Sequence, residues 1–299
     1  MISIIICSRG PEYRVATTES IAATIGVPYE LIAVENGQGQ YGICEAYNIG
    51  AGQAIYPLLC FVHEDIAFRT SNWGKIVEQV LADNSIGAIG VTGGKWLPNA
   101  PCTWWSCGNK YLTSNVISED IKSGYRTEVY SNPENKQVVD VAAVDGMWIC
   151  VRKEVWQKHP FDSSTFPGFH FYDVDFCANL FPHYRICVTP EIAVTHYSTG
   201  TYNAAWTEFA DRFYRKHAPR LPLGVPPISI RDEQNLEYSL TESFVQRIIQ
   251  ERLPGRLALR HFGRCLRLKL LARHTVWLGW QLIRYVSRYG LSSSTTPQL

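Results

Sequence analysis

Residues 57–68 read P-L-L-C-F-V-H-E-D-I-A-F, and this stretch decides which fold the sequence predicts. Residues 58–62 are apolar strand formers, and the run ends abruptly at His63, Glu64 and Asp65 before apolar residues resume. Open α/β sheets bind ligands beyond the carboxyl ends of their parallel strands, so a buried strand that stops at this triplet presents polar groups at that edge. We therefore expect the chemistry of the protein to be located there.

Strand and helix patterns alternate around this stretch. Buried strands are predicted at 2–7 and 31–35, with a helical pattern between them that Gly26 and Pro28 close, and a further helix is predicted at 43–55. Strand, helix, strand, helix and strand within roughly 60 residues is typical of right-handed βαβ units and a parallel sheet. The first part of the chain therefore predicts an α/β fold.

The later part of the chain continues the pattern with one interruption. Ser71 can cap a helix that runs to about Asp83, a helix is predicted from about Asp173 to Leu180, and another covers 203–217. Further strands are predicted at 86–91, 138–144, 147–151, 185–189 and 192–196. Residues 95–135 are rich in Trp, Gly, Asn and Ser without a regular pattern, so we expect an irregular segment of the kind that is usually functional or mobile.

The composition indicates a globular protein with a sizeable core. The chain has 299 residues, of which 46% are hydrophobic and 18% charged, enough for one large domain or a domain with an appendage. Nine cysteines, an odd number without a C-x-x-C pair, favour a reducing compartment over a disulfide-stapled secreted fold. Residues 2–7 look like a first strand and not a signal peptide, and no apolar run approaches the ~18–20 residues of a membrane-spanning helix. We expect a cytoplasmic protein, peripheral on the inner face of the cell membrane.

A proline-rich segment separates two parts of different charge. Residues 218–228 read A-P-R-L-P-L-G-V-P-P-I, so we predict a domain at 1–217, a linker at 218–230 and a basic helical tail at 231–299. Up to residue 230 the chain has 17 Lys or Arg and 22 Asp or Glu, and beyond it 11 and 5. Because the two parts differ in the sign of their net charge, we expect them to contact different environments.

The tail has the pattern of a basic amphipathic helix. Residues 253–290 contain eight Arg or Lys and no acid, and Arg256, Arg260 and Arg264 recur along one helical stripe. A second, apolar stripe consists of Trp277, Trp280 and Ile283. We predict that residues 253–290 bind an anionic membrane surface, with the arginines towards the headgroups. The alternative is a helical hairpin that packs on the rest of the protein or on a second subunit, whereas no basic-aromatic module indicates nucleic acid.

Three groups of residues are candidates for chemistry. His63 and Asp65 follow the strand at 58–62, and in a turn both side chains can bind one cation. The alternative is a polar cluster at the strand end that has no ligand and is polar only because it is not buried. Asp173 and Asp175 begin a predicted helix. They either cap and stabilise the N-terminus of this helix or, because of the aromatic residues at 169–172, provide a carboxyl group with the raised pKa of a general base. His196 ends a strand and is either structural or a metal ligand.

Eight short motifs occur in an order that resembles a known family. They are S-I-I-I-C-S-R at 3–9, E-L-I-A-V-E-N at 30–36, A-Y-N-I-G at 46–50, F-V-H-E-D at 61–65, I-G-V-T-G-G at 89–94, V-D-G-M-W-I-C-V-R at 144–152, F-Y-D-V-D-F at 171–176 and V-T-H at 194–196. Over about residues 1–217 the chain is similar to family-2-like glycosyltransferases of the GT-A fold, in the subgroup with His-x-Asp in place of Asp-x-Asp. The resemblance implies a Rossmann-like α/β domain with a mixed, mainly parallel sheet and a C-terminal helical appendage.

The resemblance also implies roles for single residues. Asp65 matches the ligand of a divalent cation, Mn²⁺ or Mg²⁺, and His196 matches a third residue of the metal site. His63 stands at the first motif position, where the family more commonly has Asp, and Tyr172 stands where it usually has Glu. Asp173 matches the general base that takes the proton of the acceptor hydroxyl. The nucleotide pocket is expected at Ser8, Arg9, Glu35, Asn36 and Asn48, and the contacts to donor sugar or acceptor at Asp145 and Gly146.

These roles predict inverting, metal-dependent transfer of a sugar from a nucleotide-sugar donor to a saccharide or lipid-linked acceptor, as in surface polysaccharide synthesis. The leaving diphosphate needs a cation, and the acceptor hydroxyl needs a base on the opposite face. Alternatives are a nucleotide-sugar hydrolase and a non-catalytic, membrane-docked protein that binds sugar nucleotides. No P-loop is present and no G-x-G-x-x-G follows the first strand, so phosphate binding would depend on the metal. Candidates for stacking on sugar rings, or for core packing, are Trp96, Trp104, Trp105 and Trp148.

Overall fold

The computed structural model describes residues 1–120, 123–198, 200, 202–226 and 228–292. In these ranges the strands are Ile2–Ser8 (β1), Tyr29–Glu35 (β2), Leu58–Val62 (β3), Ile66–Phe68 (β4), Ile86–Gly90 (β5), Thr92–Gly94 (β6), Trp96–Leu97 (β7), Leu112–Asp120 (β8), Tyr125–Ser131 (β9), Val139–Val141 (β10), Ala143–Val144 (β11), Trp148–Arg152 (β12), Arg185–Val188 (β13), Val194–His196 (β14) and Leu223–Gly224 (β15). The α-helices are Pro11–Thr24 (α1), Ile43–Gln53 (α2), Trp73–Leu81 (α3), Lys153–Lys158 (α4), Tyr172–Leu180 (α5), Ala204–His217 (α6), Ile230–Gln250 (α7), Gly255–Lys269 (α8) and Arg273–Tyr289 (α9).

A seven-stranded sheet in the order β10-β13-β5-β12-β3-β1-β2 forms the centre of the protein. β1 pairs in parallel with β2 and β3, and β13 pairs in parallel with β5. β12 runs antiparallel between β3 and β5, and β10 runs antiparallel to β13. The other strands of this sheet share one direction, so the predicted mixed, mainly parallel α/β sheet is confirmed.

A second sheet lies beyond the carboxyl end of β3. Its strands follow the order β11-β6-β8-β14-β4, and β9 pairs with β8. β14 runs antiparallel to β4 with His196 opposite Ile66, so His196 is a neighbour of the turn that links β3 to β4. β11 precedes Asp145 directly. The second sheet therefore brings residues from three separate parts of the sequence to the edge where β3 ends.

Two hydrophobic clusters hold the central sheet in place. The isoleucines of β1 are fully buried, as expected for a strand covered on both faces. One cluster includes Ile21 of α1 and Val77 of α3. The other includes Tyr47 of α2, Phe176 of α5 and residues of all three tail helices. Because α2 and α5 share this second cluster, the first turn of α5 has a fixed position relative to the end of β3.

The prediction that residues 95–135 are irregular is wrong for their second half. β8 and β9 form an antiparallel pair in the register Ser114 opposite Ser131 to Asp120 opposite Tyr125. Most side chains of β9 are exposed, among them Tyr125, Val129 and Tyr130, so the strand lacks the regular alternation of a half-buried strand. Helix α4 was not predicted either, because its six residues are too few to show a period.

Two local predictions are also corrected. Asn72, not Ser71, precedes the first residue of α3, and no side chain caps that helix end. The composition favoured free thiols, yet the structure joins Cys60 of β3 and Cys150 of β12 in a disulfide, while the other seven cysteines are free. These two residues lie directly opposite each other in the sheet, a pairing that the sequence separation of 90 does not reveal.

The proline-rich segment and the tail contact the rest of the protein. β15 pairs with β7, and Phe244, Val245 and Ile248 of α7 are almost completely buried in the cluster that also contains α2 and α5. Arg260 and Arg264 of the predicted basic stripe form ion pairs with Asp211 of α6 at 3.1 Å and with Glu237 of α7 at 2.6 Å. This is the packing that the alternative interpretation of the tail anticipated. In the described part of the chain, none of the helices has the length and apolar character required to cross a membrane.

Candidate metal and catalytic site

The three predicted metal ligands lie together beyond the ends of β3 and β14. His63, Asp65 and His196 each offer one ligand atom, and these atoms lie within 4.8 Å of one another. The Asp65 Oδ1 atom is 3.5 Å from His196 Nε2 and 3.9 Å from His63 Nδ1. The backbone fixes the arrangement, because the His63 N–H donates to the Met147 carbonyl and the Tyr197 N–H donates to the Asp65 carbonyl, both at 2.9 Å.

The charges in this cluster suit cation binding. Burial alone would raise the pKa of Asp65, but the hydrogen bond from His196 and the nearby His63 outweigh it and lower that pKa to about 2. Burial, with a contribution from His196, lowers the pKa of His63. The cluster therefore offers an ionised carboxylate and a neutral imidazole at His63. Burial alone would lower the pKa of His196, but its hydrogen bond with Asp65 outweighs burial and raises that pKa, so a cation would have to displace the proton that His196 shares with Asp65. One carboxylate with two imidazoles is a donor set that Mn²⁺ accepts and that Mg²⁺, which prefers oxygen ligands, accepts less readily.

Asp173 lies in the first turn of α5 and faces the same cleft. Its Oδ2 atom accepts a hydrogen bond of 3.2 Å from the Gly146 N–H. Burial raises the pKa of Asp173 to about 7, and the nearby Asp145 carboxylate adds to the effect. The residue before α5 is Phe171, and no side chain caps this helix end. Asp173 is therefore a partly desolvated carboxyl at the cleft and not the cap of α5.

Asp175, two residues further on, has a different environment. It is 1% exposed and forms ion pairs with His217 Nε2 at 2.6 Å and Lys216 Nζ at 2.7 Å. These contacts join α5 to α6. Asp175 is thus a structural residue, and the two acids of the Y-D-V-D-F motif have separate roles.

The backbone before α5 is strained. Phe171 has a φ of 66°, a left-handed conformation that is rare for a bulky residue. Its ring is buried and lies 5.2 Å from the ring of Trp206 and 5.7 Å from that of Phe213, measured between centroids. Such strain persists where the surrounding packing determines the conformation, and it occurs often at functional sites. Here the left-handed conformation of Phe171 determines the direction of the backbone at Tyr172 and Asp173.

The turn at Asp145 and Gly146 completes the site. Asp145 Oδ1 accepts a hydrogen bond of 2.8 Å from the Met147 N–H. A Cβ atom at Gly146 would lie 2.0 Å from the hydroxyl oxygen of Tyr172, so a side chain at this position would displace that hydroxyl. That hydroxyl lies 2.6 Å from His63 Nε2. Both predicted residues therefore line the cleft, beside Asp173.

Aromatic side chains form the outer part of the cleft. Trp105, Phe169 and Tyr202 are 39%, 56% and 52% exposed, and they line the cleft together with the metal-ligand cluster, Asp145 and Asp173. Trp104 and Trp206 also contribute. In contrast, Trp96 and Trp148 are buried and contribute to hydrophobic clusters, so the core interpretation holds for those two tryptophans. Sequence patterns did not indicate Tyr202 or Trp206, because they lie at the start of a helix with an ordinary amphipathic pattern.

The residues predicted to bind the nucleotide lie beside the cleft and not among the residues that line it. Ser8 Oγ donates to Glu64 at 2.9 Å, and Arg9 Nε donates to the same carboxylate at 2.6 Å. Arg14 forms an ion pair with Glu35 at 2.7 Å. Asn36 bonds to the backbone of Tyr41 in both directions at 2.9 Å. Glu64 lies between His63 and Asp65 in the sequence and accepts hydrogen bonds from Ser8 and Arg9. It therefore links the predicted nucleotide-binding residues to the metal-ligand cluster.

Asn48 makes three internal hydrogen bonds. Its amide donates to the Phe161 carbonyl at 2.8 Å and accepts from Trp156 Nε1 at 3.0 Å and the Phe161 N–H at 3.1 Å. These bonds tie α2 to the segment after α4. Asn48 therefore has a structural role in the fold, and its contact with the nucleotide stays a prediction.

Comparison with known proteins identifies the class to which this α/β fold and cleft belong. Residues 3–215, more than half of the chain, match the model of the Glycosyltransferase like family. The chain belongs to this family. Its mixed, mainly parallel sheet with a helical C-terminal region is the GT-A architecture that the motifs implied.

The other comparisons are more distant. None of the curated proteins searched matches the sequence. GalNAc-T7 with UDP, GalNAc and Mn²⁺ is 13% identical with a TM-score of 0.48, over 84% of this chain and 57% of that one. TarS 1-349 of S. aureus in complex with UDP is 11% identical with a TM-score of 0.47, over 97% and 91%. A197 from STIV is 10% identical with a TM-score of 0.38, over 66% and 85%.

Proposed function

We propose that the protein is an inverting, metal-dependent glycosyltransferase that moves a sugar from a nucleotide-sugar donor to a hydroxyl of a saccharide or lipid-linked acceptor. The observation that supports this most directly is that a set of cation ligands and a carboxyl with a raised pKa line one cleft. Transfer from a sugar nucleotide requires both groups, since one stabilises the leaving diphosphate and the other receives the acceptor proton.

The leaving group would be bound at the end of β3. Asp65, His63 and His196 would hold Mn²⁺ or Mg²⁺, which supplies positive charge to the leaving diphosphate. Arg9 forms an ion pair with Glu64 at the same edge of the sheet, and its side chain is 63% exposed, so its guanidinium could also contact a phosphate of the nucleotide. We assign the nucleotide to this side of the cleft, with Ser8, Glu35 and Asn36 as candidate contacts.

The acceptor hydroxyl would approach Asp173. The Asp173 carboxylate takes the hydroxyl proton while the oxygen attacks the anomeric carbon and the bond to the diphosphate breaks on the opposite face. One displacement of this kind inverts the anomeric configuration. A pKa of about 7 suits a base, because the carboxylate is populated near neutral pH and still binds a proton. The Gly146 N–H keeps one oxygen of this carboxylate in place.

The first experiment separates transfer from binding. Asp173→Asn should retain binding of the nucleotide-sugar donor with Mn²⁺, measured as a rise in melting temperature across a panel of UDP-, GDP- and dTDP-sugars. Transfer should fall by about 10²- to 10⁴-fold, since only the general base is removed. The wild-type rate should rise with pH up to about pH 7, where Asp173 loses its proton.

The same assay tests the alternatives. Donor breakdown at equal rates with and without acceptors would identify a nucleotide-sugar hydrolase. Donor binding without any turnover would identify a binding protein. Asp65→Ala should abolish the Mn²⁺-dependent part of donor binding, and unchanged binding would contradict the proposed metal site.

We also assign a peripheral membrane surface to the tail, which would bring the cleft to a lipid-linked acceptor in surface polysaccharide synthesis. The structure supports a smaller surface than residues 253–290. Arg260 and Arg264 are used in internal ion pairs, but the end of α8 and one face of α9 expose Leu270, Leu271, Val276, Trp277, Trp280 and Ile283. The same two helices also contain the exposed cations Arg267, Arg273, Arg284 and Arg288.

Charge favours a membrane over a second copy of the chain as the occupant of this face. Residues 253–290 contain no acid, so two such faces would bring cations together, whereas an anionic bilayer would neutralise them. Exposed Trp and Leu side chains beside arginines are typical of helices that lie in the membrane interface. The surface is therefore complementary to anionic lipid in both charge and hydrophobicity.

Vesicle binding tests this surface. The wild-type protein should sediment with phosphatidylglycerol vesicles and much less with phosphatidylcholine vesicles. The double variant Trp277→Ala, Trp280→Ala should lose most of this binding, whereas Tyr125→Ala, which removes an equally exposed aromatic ring of β9, should not. Equal binding by the double variant, or a dimer in solution that the double variant disrupts, would contradict the membrane assignment.

A further inference from the structure

Tyr172 contacts a proposed metal ligand directly. Its hydroxyl oxygen lies 2.6 Å from His63 Nε2, and the tyrosine is only 4% exposed. The other ring nitrogen of His63, Nδ1, faces Asp65 Oδ1 at 3.9 Å. The two nitrogens of this imidazole therefore have different partners, one a tyrosine hydroxyl and the other the cation-ligand cluster.

The position of the Tyr172 hydroxyl is fixed from several sides. The Tyr172 ring packs edge-on against Tyr47 with centroids 5.8 Å apart, and it lies 6.2 Å from the ring of Phe161. The absence of a side chain at Gly146 leaves the space that the hydroxyl occupies. Since the ring cannot move far in this packing, the hydroxyl is a fixed hydrogen-bond partner for His63.

A fixed partner at one ring nitrogen determines what the other nitrogen can do. A neutral imidazole carries one proton, and the nitrogen without it has the lone pair that binds a metal. If Nε2 carries the proton and donates it to the Tyr172 oxygen, Nδ1 presents its lone pair to the cluster of Asp65 and His196. The hydrogen bond would also hold the ring plane in the direction of the cluster.

We infer that Tyr172 is a positioning residue, which holds the ring of His63 in place and accepts the Nε2 proton of the tautomer whose Nδ1 is available to a divalent cation. This inference depends on the metal site of the proposed function. The tyrosine also adds no negative charge beside Asp173, whereas the Glu that is usual at this position would. The two positions at which the sequence differs from the family pattern, 63 and 172, are thus in contact with each other.

Metal binding measures this role without any need for turnover. Wild-type protein and Tyr172→Phe are titrated with Mn²⁺ in the presence of UDP, and free Mn²⁺ is followed by electron paramagnetic resonance. We expect the dissociation constant for Mn²⁺ to rise by about 10- to 100-fold in Tyr172→Phe, as is typical when the partner of a ligating histidine is removed. Tyr238→Phe is the matched control, because it loses a buried hydroxyl that bonds to Thr275 in the tail, and its Mn²⁺ affinity should equal that of the wild type.

A double-variant comparison distinguishes positioning from a general structural effect. In a His63→Ala background, Tyr172→Phe should cause no further loss of Mn²⁺ affinity, because the residue through which it acts is absent. In Gly146→Ala the new methyl group would displace the Tyr172 hydroxyl from His63, so this variant should weaken Mn²⁺ binding in the same way as Tyr172→Phe.

The outcomes separate two failures. If the wild-type protein does not bind Mn²⁺, both the proposed metal site and this inference are wrong. If the wild type binds Mn²⁺ and Tyr172→Phe binds it equally well, or if the losses in His63→Ala and Tyr172→Phe add, only the role of Tyr172 is wrong.

Discussion

Replacement of Asp173 by Asn should make the protein more stable at neutral pH although it removes the proposed general base. The pKa of Asp173 is about 7 in the folded protein, against 3.8 for an ordinary Asp. The cause is first burial and then the nearby Asp145 carboxylate. The ionised form of Asp173 is therefore a cost to the folded state, and Asn, which keeps the shape but does not ionise, avoids that cost.

The sign and size of the effect follow from proton linkage. Below about pH 4 the carboxyl is protonated in both states, so it has no effect on the pH dependence of stability. As the pH rises from about 4 to about 7, the unfolded chain loses this proton first, and the stability of the wild type falls; above about pH 7 the difference stays constant. Each pKa unit corresponds to ~1.4 kcal/mol, so the gain in Asp173→Asn at about pH 8 is at most ~4 kcal/mol.

Urea unfolding at about pH 4 and about pH 8 measures this difference. The gain should be present at the higher pH and absent at the lower one. Asp175→Asn is the matched control, since it lies in the same helical turn but loses ion pairs with His217 and Lys216; it should be destabilised by about 3–5 kcal/mol. A wild type and an Asp173→Asn variant of equal stability at both pH values would show that the carboxyl is well solvated, and the assignment of a base with a pKa near 7 would lose its support.

Two further predictions concern residues whose role depends on where the structure places them. Trp105→Ala should raise the acceptor KM by about 2- to 10-fold through loss of one stacking contact while donor binding stays unchanged, and Trp280→Ala, outside the cleft, should leave that KM unaltered. Asn48→Ala should lower stability by about 1–3 kcal/mol, because it leaves the backbone of Phe161 and the indole of Trp156 without their partner. If Asn48 has only this structural role, UDP affinity should not change in Asn48→Ala. A clear loss of UDP binding at unaltered stability would instead support the prediction that Asn48 contacts the nucleotide.

The sequence predicted the centre of the site better than its surroundings. His63, Asp65 and His196 end strands, and Asp173 begins a helix, so each could be recognised as a polar group at the end of a buried element. That these ends meet depends on the pairing of β14 with β4, which no local pattern encodes. The order of the motifs supplied that information through the resemblance to a family.

The surroundings could not be predicted because they depend on contacts between distant segments. Trp96 and Trp105 both belong to the segment at 95–135 without a regular pattern, yet one is buried in a hydrophobic cluster and the other lies at the cleft. Arg260 and Arg264 share a stripe as their spacing indicated, but spacing does not show that Asp211 and Glu237 lie opposite them. The mostly exposed side chains of β9 mix apolar and polar residues without the alternation of a half-buried strand, so the strand resembled a loop.

The shared interior of α2, α5 and α7 restricts how related enzymes can exchange parts. Phe244, Val245 and Ile248 belong to the same hydrophobic cluster as Tyr47 and Phe176. The C-terminal region is therefore not a unit that can be exchanged independently of the rest of the protein. Recombination that joins the first 217 residues to a foreign tail would have to preserve the shape of those three side chains, or the first turn of α5 would lose its support. Chimeras made for new acceptors should therefore keep residues 230–250 with their own N-terminal part and vary only the outward side of the last two helices.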